Sequence, residues 1–484
     1  MSSMIWLITL PLLAALLSAL LPRMAHKIVI VISAATFLFS IQLAMQISEQ
    51  GALYYHIGGW SQGLAIALYA DGLSAAMLLM STLIASLVSI YASAYFAQGS
   101  RQDFYWPLWM LLLTALNALF LSADLFNLYV TLELLGLAAA ALTALSGKTE
   151  AISAAFRYLM IGLIGSLAFL AGVALSYLHY GTLDIAFLTQ HIQYDYTSLL
   201  MVLMITLGLM IKAALLPMHF WLPAAHANAP APVSAVLSAL VVKAAVYLMV
   251  RFWLESFQPL SNTMFSNIFA ILGAMAIVWG SYQAFSAQRL KILAAYSTVA
   301  QIGYLFLFLS ILMVLPAGEL FNMLLVGLVL FALSHGFAKS ALFLAAGVIQ
   351  QRAGHDRIAE LDGTAQRLPV TTFTLALAGV ALIGLPPSGA FLGKWHLING
   401  VVHEGLWFFI LIILIGSLFS AAYVFRVLGH AFGQLKLSST NLAVGREEIP
   451  ALILSLIATL ILGFGAAPLT NLMQSFAGMS GATL

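Results

Sequence analysis

The sequence contains no cysteine, which excludes disulfide bridges, thiolate zinc sites and iron–sulfur ligation. Charge is also scarce: charged residues make up 7% of the 484 residues, against about a quarter of an ordinary soluble domain. The chain has no acidic or basic tail and a net charge of only +2, so nothing points to a nucleic-acid partner. Hydrophobic residues, by contrast, reach 63%. A soluble fold could not bury that much apolar surface, so the composition predicts an all-α membrane protein.

Apolar runs long enough to cross a bilayer, which takes about 20 residues, recur along the whole chain. They are joined by short connections and leave no extramembrane domain. We therefore expect about 14 transmembrane helices, one for each apolar run in the sequence. The runs begin near residues 4, 28, 71, 106, 125, 151, 196, 230, 264, 291, 320, 370, 403 and 449.

The basic residues between the runs indicate the orientation. When the loops are assigned alternately to two sides, thirteen Lys and Arg residues fall on one side and only Arg251 on the other. Cytoplasmic loops are the positively charged ones, so this pattern predicts that both termini lie on the outer side of a bacterial cell (inner) membrane. The thirteen are Arg23, Lys27, Arg101, Lys148, Arg157, Arg289, Lys291, Arg352, Arg357, Arg367, Arg426, Lys436 and Arg446.

Four lysines and one glutamate lie inside apolar runs instead. They are Lys212, Lys243, Lys339, Lys394 and Glu133. A lysine at the centre of a bilayer costs ~2.5–3.5 kcal/mol on insertion scales. A set of this size is therefore interpreted as a path for charge through the membrane.

Proline-rich sequences predict breaks in two of the helices. One break spans residues 215–223, directly after Lys212, and the other spans 384–389, shortly before Lys394. A further break is expected at 228–232, between two spans. Proline removes a backbone donor and clashes with the preceding turn, and freed carbonyls are tolerated at membrane depth only where they are buried or line a cavity. Broken helices in two halves, five spans apart, favour an internal repeat in which the second unit is inverted.

A buried lysine that gains and loses a carboxylate partner changes its affinity for a proton and can act as a switch. We hypothesise that Glu133 pairs with Lys212, and that opening the pair sends a proton towards Lys243. Lys339 and Lys394 would continue the relay through the second half. For Glu133, Lys212 and Lys243 the alternative is a static salt bridge that stabilises the bundle. For Lys394 the alternative is that its side chain snorkels along the broken helix.

Histidines near the same segments could extend the relay, because histidine titrates near neutral pH. These are His219, His226 and His335. For His219 and His226, a capping or loop role is as plausible as a role in the relay. Lys339 lies four residues after His335 on the same helical face, and its alternative role is a structural hydrogen bond to the backbone. Asp71 and Asp124 lie at the starts of their helices, where the helix dipole favours a negative charge, so we expect a structural role for both.

Five motifs together resemble the proton-translocating antiporter-like subunits shared by respiratory complex I, membrane-bound hydrogenases and Mrp multisubunit Na+/H+ antiporters. The resemblance covers roughly residues 65–430, and the segment YHIGGW…LYADGLSAAMLLMSTLIASLV looks most like the D subunits of Mrp antiporters. A doubled proline, Pro386-Pro387, departs from the single proline of the family. The motifs are ADLFNLYVTLELLGL, LMIKAALLPMHFWLPAAHANAPAPVSAVLSALVVKAAVYLMVR, QRLKILAAYSTVAQIGYL, LSHGFAKSALFLAAG and IGLPPSGAFLGKW.

The resemblance implies a 14-helix fold with two inverted five-helix repeats and discontinuous helices. The expected organisation is N-terminal helices over 1–105, a first repeat over 106–252, a second over 264–430 and a C-terminal helix over 449–484. It also implies that the protein works with other membrane subunits of a hetero-oligomeric complex. The matching positions Glu133, Lys212, Lys243 and Lys394 would be the central proton-path residues, with His335 and Lys339 as further members.

The function predicted in this way is proton translocation within an Mrp-type Na+(cation)/H+ antiporter, with protons and Na+ as the transported ions. We expect a transporter subunit and not an enzyme, with no cofactor or metal of its own. Two alternatives stay open within the family: a proton-pumping subunit of a redox complex of complex I or hydrogenase type, and a subunit of an inorganic-carbon uptake system. A passive scaffold, in which the lysines only hold the bundle together, is the alternative of another class.

Overall fold

The computed structural model describes residues 2–57, 66–96, 102–434 and 445–476. Arg101, Lys436 and the last three residues of the YHIGGW motif lie outside these ranges. The described chain is almost entirely helical. The α-helices are α1 Ser2–Leu20, α2 Ala25–Gln50, α3 Gly72–Tyr95, α4 Gln102–Leu121, α5 Leu125–Ala144, α6 Thr149–Tyr180, α7 Ile185–His191, α8 Tyr196–Lys212, α9 Leu222–Asn228, α10 Ala231–Val236, α11 Val242–Arg251, α12 Thr263–Ser286, α13 Leu290–Leu312, α14 Glu319–Ala353, α15 Thr364–Arg367, α16 Pro369–Ile383, α17 Gly389–His403, α18 Trp407–Ala431, α19 Glu448–Leu456, α20 Leu462–Phe464 and α21 Ala466–Met473.

Shorter elements join or interrupt these helices. Two strands, β1 (Leu53–His56) and β2 (Ala67–Ala70), form an antiparallel hairpin in which Leu53 pairs with Ala70. The π-helical and 3-10 turns are Pro22–Met24, Met218–Trp221, Leu237–Val241, Phe252–Ser256, Gln258–Leu260, Ile358–Glu360 and Ile457–Ile461.

The helical membrane fold is confirmed. Within the described ranges, 11 helices are long and apolar enough to cross a membrane, or up to 12 if the pair α19–α20 and α21, bent by 72°, forms one span. Two further predicted runs form the shorter apolar helices α8 and α16. The count of fourteen spans and the inverted repeats stay predictions.

The predicted helix breaks are present, and each lies where prolines interrupt the backbone ladder. Helix α8 ends at Lys212, and a 3-10 turn precedes α9. Helix α16 ends at Ile383, and α17 begins after Pro386-Pro387. Between α9 and α10 the chain is non-helical at Ala229 and Pro230.

Two glycine pairs let neighbouring helices approach closely. A Cβ on Gly208 would lie 2.5 Å from the carbonyl oxygen of Gly165, where α8 crosses α6. A Cβ on Gly303 would lie 2.5 Å from the carbonyl oxygen of Gly273, where α13 crosses α12. Small residues at helix crossings are typical of membrane bundles, where close van der Waals packing replaces the hydrophobic effect between helices.

An 18-residue stretch of the helical segment Ala231–Ser256, which contains α10 and α11, is completely buried by its neighbours. Helices α13 and α14 are also mostly buried, whereas α2, α6 and α18 expose much of their surface. The centre of the bundle is therefore built around α11, α13 and α14, which carry Lys243 and Lys339.

Candidate functional site

The predicted partners Glu133 and Lys212 lie together. Lys212 Nζ is 3.5 Å from Glu133 Oε1 and donates a hydrogen bond to the carbonyl oxygen of Leu132, at 3.4 Å. Glu133 is on α5, and Lys212 is the last residue of α8 before the break. The two side chains are 25% and 11% exposed, so the pair is partly buried and can rearrange.

A cavity of about 30 Å³ adjoins this pair. Its walls include Glu133, Lys212 and two residues of the helix that carries Lys243, Val241 and Ala245. A cavity needs roughly 10–15 Å³ to hold a water molecule, and water needs polar partners, which the ion pair supplies. The cavity therefore offers room for water between the pair and the next helix.

Aromatic packing holds the broken helix beside the pair. The ring of Trp221 stacks on Tyr158 of α6 at a centroid distance of 4.5 Å. Trp221 Nε1 donates to the carbonyl oxygen of Ile211 at 3.2 Å. The same carbonyl oxygen also accepts from the backbone amide of Ala214 at 3.1 Å, so Trp221 is tied to the helix end that carries Lys212.

Lys243 is buried at 1% exposure, and its Nζ donates to the carbonyl oxygen of Ser238 at 3.1 Å. Ser238 belongs to the π-helical turn Leu237–Val241. Single π-turns are frequent at functional sites. The hydroxyl of Ser238 also contacts that of Thr298 on α13, at 2.7 Å.

Lys339 and His335 lie one turn apart on α14. Lys339 Nζ donates to the carbonyl oxygen of Ala294 at 2.8 Å and to the hydroxyl of Ser297. Both ring nitrogens of His335 are buried without a hydrogen-bond partner in the described part of the chain. The structure thus gives Lys339 the backbone bond expected for a structural role and also places it in the polar interior.

Lys394 lies at the second break with a different set of partners. Its Nζ donates to the carbonyl oxygen of Ile383 at 2.8 Å and to the hydroxyl of Ser417 at 2.9 Å. The ammonium also lies 4.6 Å from the centroid of the Tyr304 ring, a cation–π contact. It is buried and does not snorkel to a surface.

One face of α13 connects these lysines, and the sequence reasoning missed it. Thr298 Oγ1 donates to the carbonyl oxygen of Ala294, which also accepts from Lys339. Gln301 Nε2 donates to the carbonyl oxygen of Leu382, next to the carbonyl that accepts from Lys394. The signal was available, since Ser297, Gln301 and Tyr304 recur at i, i+4 and i+7 on one helical face.

Two other basic residues are more deeply placed than expected. His226 was open to a capping or loop role, but it is fully buried and neither ring nitrogen has a partner among the described residues. Lys291 was expected to be an ordinary inner-face charge, yet it is 2% exposed and its Nζ donates to the carbonyl oxygen of Ala229, at 3.0 Å. The break between α9 and α10 supplies the acceptor. His219, by contrast, is partly exposed within its 3-10 turn.

A buried ion cluster at the other end of α11 was also missed by the sequence reasoning. Arg251 was assigned to an outer loop, but both of its terminal nitrogens contact Asp71, at 2.6 and 2.8 Å, and one contacts Glu255 at 2.7 Å. Asp71 does cap α3, as the dipole argument expects, by accepting from the backbone of Ser74 at 3.0 Å. Asp124 caps α5 in the same way.

Glu133, Lys212, Lys243, His335, Lys339 and Lys394 are hereafter called the central line. Lys212 and Lys394 lie next to helix breaks and Lys243 follows a π-helical turn, whereas Lys339 lies inside α14; each ammonium donates to at least one backbone carbonyl oxygen. Ionisable residues inside a membrane bundle commonly mark ion pathways. The fold and the central line together define an ion-transporting membrane protein with interior broken helices.

The chain belongs to the NADH:quinone oxidoreductase/Mrp antiporter family of transmembrane proteins, whose description matches residues 122–420. Residues 60–105 match the N-terminal region described for chain 5 of NADH-ubiquinone oxidoreductase (complex I). The resemblance drawn from the five motifs is thereby confirmed.

Relatives come from both branches of the family. The chain is 33% identical over 442 residues to the N subunit of NADH-quinone oxidoreductase from Desulforudis audaxviator, covering 88% of this chain and 86% of the relative. It is 26% identical to the D subunit of the Na(+)/H(+) antiporter from Alkalihalophilus pseudofirmus, over 89% and 87% of the two chains. The corresponding antiporter protein of Bacillus subtilis is 27% identical, over 88% and 86%.

Solved structures share the whole fold. A chain of the membrane-bound sulfane sulfur reductase, an archaeal respiratory membrane complex, superimposes with a TM-score of 0.90 at 26% identity, covering 99% of this chain and 97% of that one. A chain of the Mrp complex from Dietzia sp. DQ12-45-1b superimposes with a TM-score of 0.87 at 23% identity and the same coverage.

Proposed function

We propose that this chain is the proton-translocating subunit of a multisubunit Mrp-type cation/proton antiporter. The observation that carries the proposal is the pairing of Lys212 with Glu133, at 3.5 Å, beside a cavity that reaches the helix of Lys243. A lysine in this position is charged while the carboxylate is near and releases its proton when the carboxylate withdraws. The similarity to the D subunits of two Na(+)/H(+) antiporters supports the coupling of this proton to a cation.

The proton then passes along the central line. It moves from Lys212 to Lys243 through water in the cavity, from Lys243 to Lys339 beside His335, and along α13 to Lys394. The two inverted repeats, 106–252 and 264–430, each contribute one broken helix, and the first and last segments, 1–105 and 449–484, flank them. Both termini lie on the outer side of the bacterial inner membrane, with Na+ and the other membrane proteins of the complex as partners.

A redox-driven complex is the second candidate. The higher identity to an N subunit of NADH-quinone oxidoreductase, 33% against 26–27% for the antiporter relatives, favours it. In that setting the same central line would move protons in response to electron transfer elsewhere in the complex.

Purification of the assembled complex from its native membrane tests whether the chain belongs to an antiporter or to a redox-driven complex. We expect small membrane subunits to co-purify, and an imposed Na+ gradient to drive proton movement in reconstituted vesicles. Co-purification of flavin and iron–sulfur proteins, with proton movement that depends on an electron donor and ignores the Na+ gradient, would replace the first proposal by the second.

Transport in vesicles also separates both candidates from a scaffold. Lys212→Ala and Glu133→Ala are each expected to abolish proton movement while the complex still assembles. A matched control is Glu150→Gln, because Glu150 is an exposed glutamate in the first turn of α6. Undiminished transport in both alanine variants would leave the scaffold as the better account.

A further inference from the structure

A groove of about 510 Å³ lies at the perimeter of the bundle, apart from the central line. Its walls belong to α2, α3, α14 and the C-terminal helices, and the residues that line it are apolar except for Ser48 and Glu49. The groove is open on one side, because Met45 of α2 and Ile461 of the opposite wall are both exposed. Pockets that hold small ligands measure roughly 300–1,000 Å³ and are mostly apolar. This apolar groove therefore has the size and lining of a ligand site.

The C-terminal wall of the apolar groove is an irregular helix with fixed contacts. The π-helical turn Ile457–Ile461 interrupts it, and the chain bends by 72° between α20 and α21. Ser334 of α14 donates through its hydroxyl to the carbonyl oxygen of Ala458 at 3.0 Å, which ties the π-turn to the bundle. A Cβ on Gly72 would lie 2.1 Å from the carbonyl oxygen of Leu472, so α21 packs on the start of α3 at a distance that only glycine allows. Because π-turns are frequent at functional sites, this wall supports a binding role for the groove.

The apolar groove is long and narrow. Along α2 it extends from Phe37 to Glu49, which is about 18 Å in a helix that rises ~1.5 Å per residue. Dividing the volume of about 510 Å³ by this length gives a mean cross-section of about 28 Å², or a diameter of about 6 Å. A helix with its side chains is roughly 10–12 Å wide, so the groove cannot enclose one. One leaflet of the hydrocarbon core is about 15 Å deep, half of the ~30 Å core, so the groove has the length of a single lipid acyl chain.

The end of the groove at the predicted outer surface carries a negative charge. Ser48 and Glu49 lie there, in the last turn of α2, and both are exposed. Neither lysine nor arginine is found among the described residues that line the groove. A carboxylate attracts the ammonium of a zwitterionic headgroup and repels a headgroup whose net charge is negative. The charge at this end therefore favours phosphatidylethanolamine over phosphatidylglycerol.

The deep end of the groove reaches the helix that carries Lys339. Leu333 and Phe337 of α14 line the groove, two residues before and after His335. Met80 of α3 lines it too, and a Cβ on Gly336 would lie 2.6 Å from its Sδ, so the thioether fills the space beside this glycine. These side chains offer water no hydrogen-bond partners, and apolar cavities of this kind stay dry. A hydrocarbon chain is the occupant that such a lining accepts.

We propose that the apolar groove binds one acyl chain of phosphatidylethanolamine, with the ammonium of the headgroup beside Glu49 and the end of the chain against Met80. The inference goes beyond the proposed function and does not depend on proton transport. It requires only the packing of α2, α3, α14 and the C-terminal helices.

A photoreactive amino acid in place of Met45, in the complex assembled in its native membrane, identifies the occupant. We expect the main product on illumination to be an adduct of phosphatidylethanolamine, enriched over its share of the membrane lipid. The same substitution at Leu38, an exposed residue of α2 that does not line the groove, is the matched control and should capture lipids in their bulk proportions. Equal lipid proportions at the two positions would overturn the proposal. A main product that joins position 45 to a protein segment, of this chain or of a neighbouring subunit, would also overturn it.

A lipid probe with a photoreactive group at the end of its acyl chain tests the depth of binding in reconstituted vesicles. We expect phosphatidylethanolamine of this kind to label the peptide that contains Met80. Ala44→Trp fills the groove and should lower this labelling several-fold, whereas Ala171→Trp, at an exposed alanine of α6, should leave it unchanged. Labelling of Met80 that is equal in wild type and Ala44→Trp would show that the chain does not enter the groove.

Glu49→Gln tests the headgroup assignment in the same vesicles. In wild type we expect the phosphatidylethanolamine probe to label the Met80 peptide about fivefold more than a phosphatidylglycerol probe with the same chains, as for a single charge at a membrane surface. The preference should be lost in Glu49→Gln and kept in Glu319→Gln, since Glu319 is an exposed glutamate at the start of α14 and does not line the groove. A preference of the same size in Glu49→Gln and wild type would refute the role of Glu49.

Discussion

The two broken helices present their lysines to different surroundings. At the first break, Lys212 lies beside a carboxylate, is partly exposed and adjoins a cavity. At the second, Lys394 is buried among a carbonyl, a hydroxyl and the ring of Tyr304, and no carboxylate in the described part of the chain forms an ion pair with it. Gain or loss of a carboxylate partner changes the electrostatic stabilisation of an ammonium group strongly, whereas neutral oxygens stabilise it less. The difference suggests that the first half sets when a proton moves and the second half receives it.

Removal of the carboxylate is expected to have the largest effect. Glu133→Gln keeps the shape of the side chain but takes away the charge that holds a proton on Lys212. We expect proton transport in vesicles to fall on the order of 100-fold or more, as for loss of a positioned acid or base. Glu150→Gln should transport at the wild-type rate. A fall of less than twofold in Glu133→Gln would show that the two halves do not differ in this way.

A carboxylate introduced beside Lys394 should make the second break resemble the first. Ser417 Oγ lies 2.9 Å from Lys394 Nζ, so Ser417→Glu places a negative charge at the receiving end. We expect the ammonium to hold its proton and transport to slow by roughly tenfold, a cost of about 1.4 kcal/mol. Ser417→Gln, of the same size without the charge, should slow transport less. Equal rates in the two variants would argue against a receiving role for Lys394.

The contact with Tyr304 allows a finer test. The ring faces the Lys394 ammonium, and the hydroxyl donates to the carbonyl oxygen of Ile413 at 3.1 Å. Tyr304→Leu removes a cation–π contact worth roughly 1–2 kcal/mol when desolvated, so we expect transport to change several-fold. Tyr304→Phe keeps the ring and should stay close to wild type. A larger change in transport in Tyr304→Phe than in Tyr304→Leu would attribute the effect to the hydroxyl group of Tyr304 and not to its ring.

The smallest effect is expected where α8 begins. Asp195 caps this helix by accepting from the backbone of Ser198 at 2.9 Å, whereas α16 starts at Pro369 without a side-chain cap. Asp195→Ala should lower the free energy of unfolding by about 1 kcal/mol, as measured by denaturation in mixed micelles, and Asp195→Asn should be nearly neutral. Stability loss in both variants would point to the contact with His179 instead.

The same cap gives a pH dependence with a defined sign. Hydrogen bonds from Ser198, chiefly from its backbone amide, hold the pKa of Asp195 below its usual value. The cap therefore contributes stability at neutral pH and loses it as the pH falls below about 4, where the unfolded carboxyl is protonated. In Asp195→Asn this acid-dependent part of the unfolding free energy should be absent.

The sequence was most informative where a residue conflicted with its surroundings. Lysines in apolar runs and prolines inside spans are each costly, so Lys212, Lys243, Lys339, Lys394 and the breaks could be predicted. The helical membrane fold followed from composition alone. The pairing hypothesis for Glu133 agrees with the distance of 3.5 Å, because few other buried carboxylates were available as partners.

What the sequence concealed depends on contacts between distant helices. Arg251 was assigned to a loop, because a charge near the end of a span is ordinary until a partner is brought to it from α3. The burial of Lys291 was not foreseen, because it depends on the carbonyl oxygen of Ala229, which the break between α9 and α10 leaves free to accept from the ammonium. The burial of His226 depends on packing against distant helices, including the contact with the ring of Phe343. The polar face of α13 was masked by the apolar residues around it.

The central claim is that one connected line carries protons through both halves, and Lys339 is the residue that joins them. Proton uptake driven by an imposed Na+ gradient should be measured in vesicles containing the complex with Lys339→Met, which leaves the Glu133–Lys212 pair and Lys394 untouched. We predict that uptake falls to background, while Lys148→Met, at an exposed lysine, retains the wild-type rate. Wild-type uptake by an assembled Lys339→Met complex would contradict the account, because the two halves would then work without this connection.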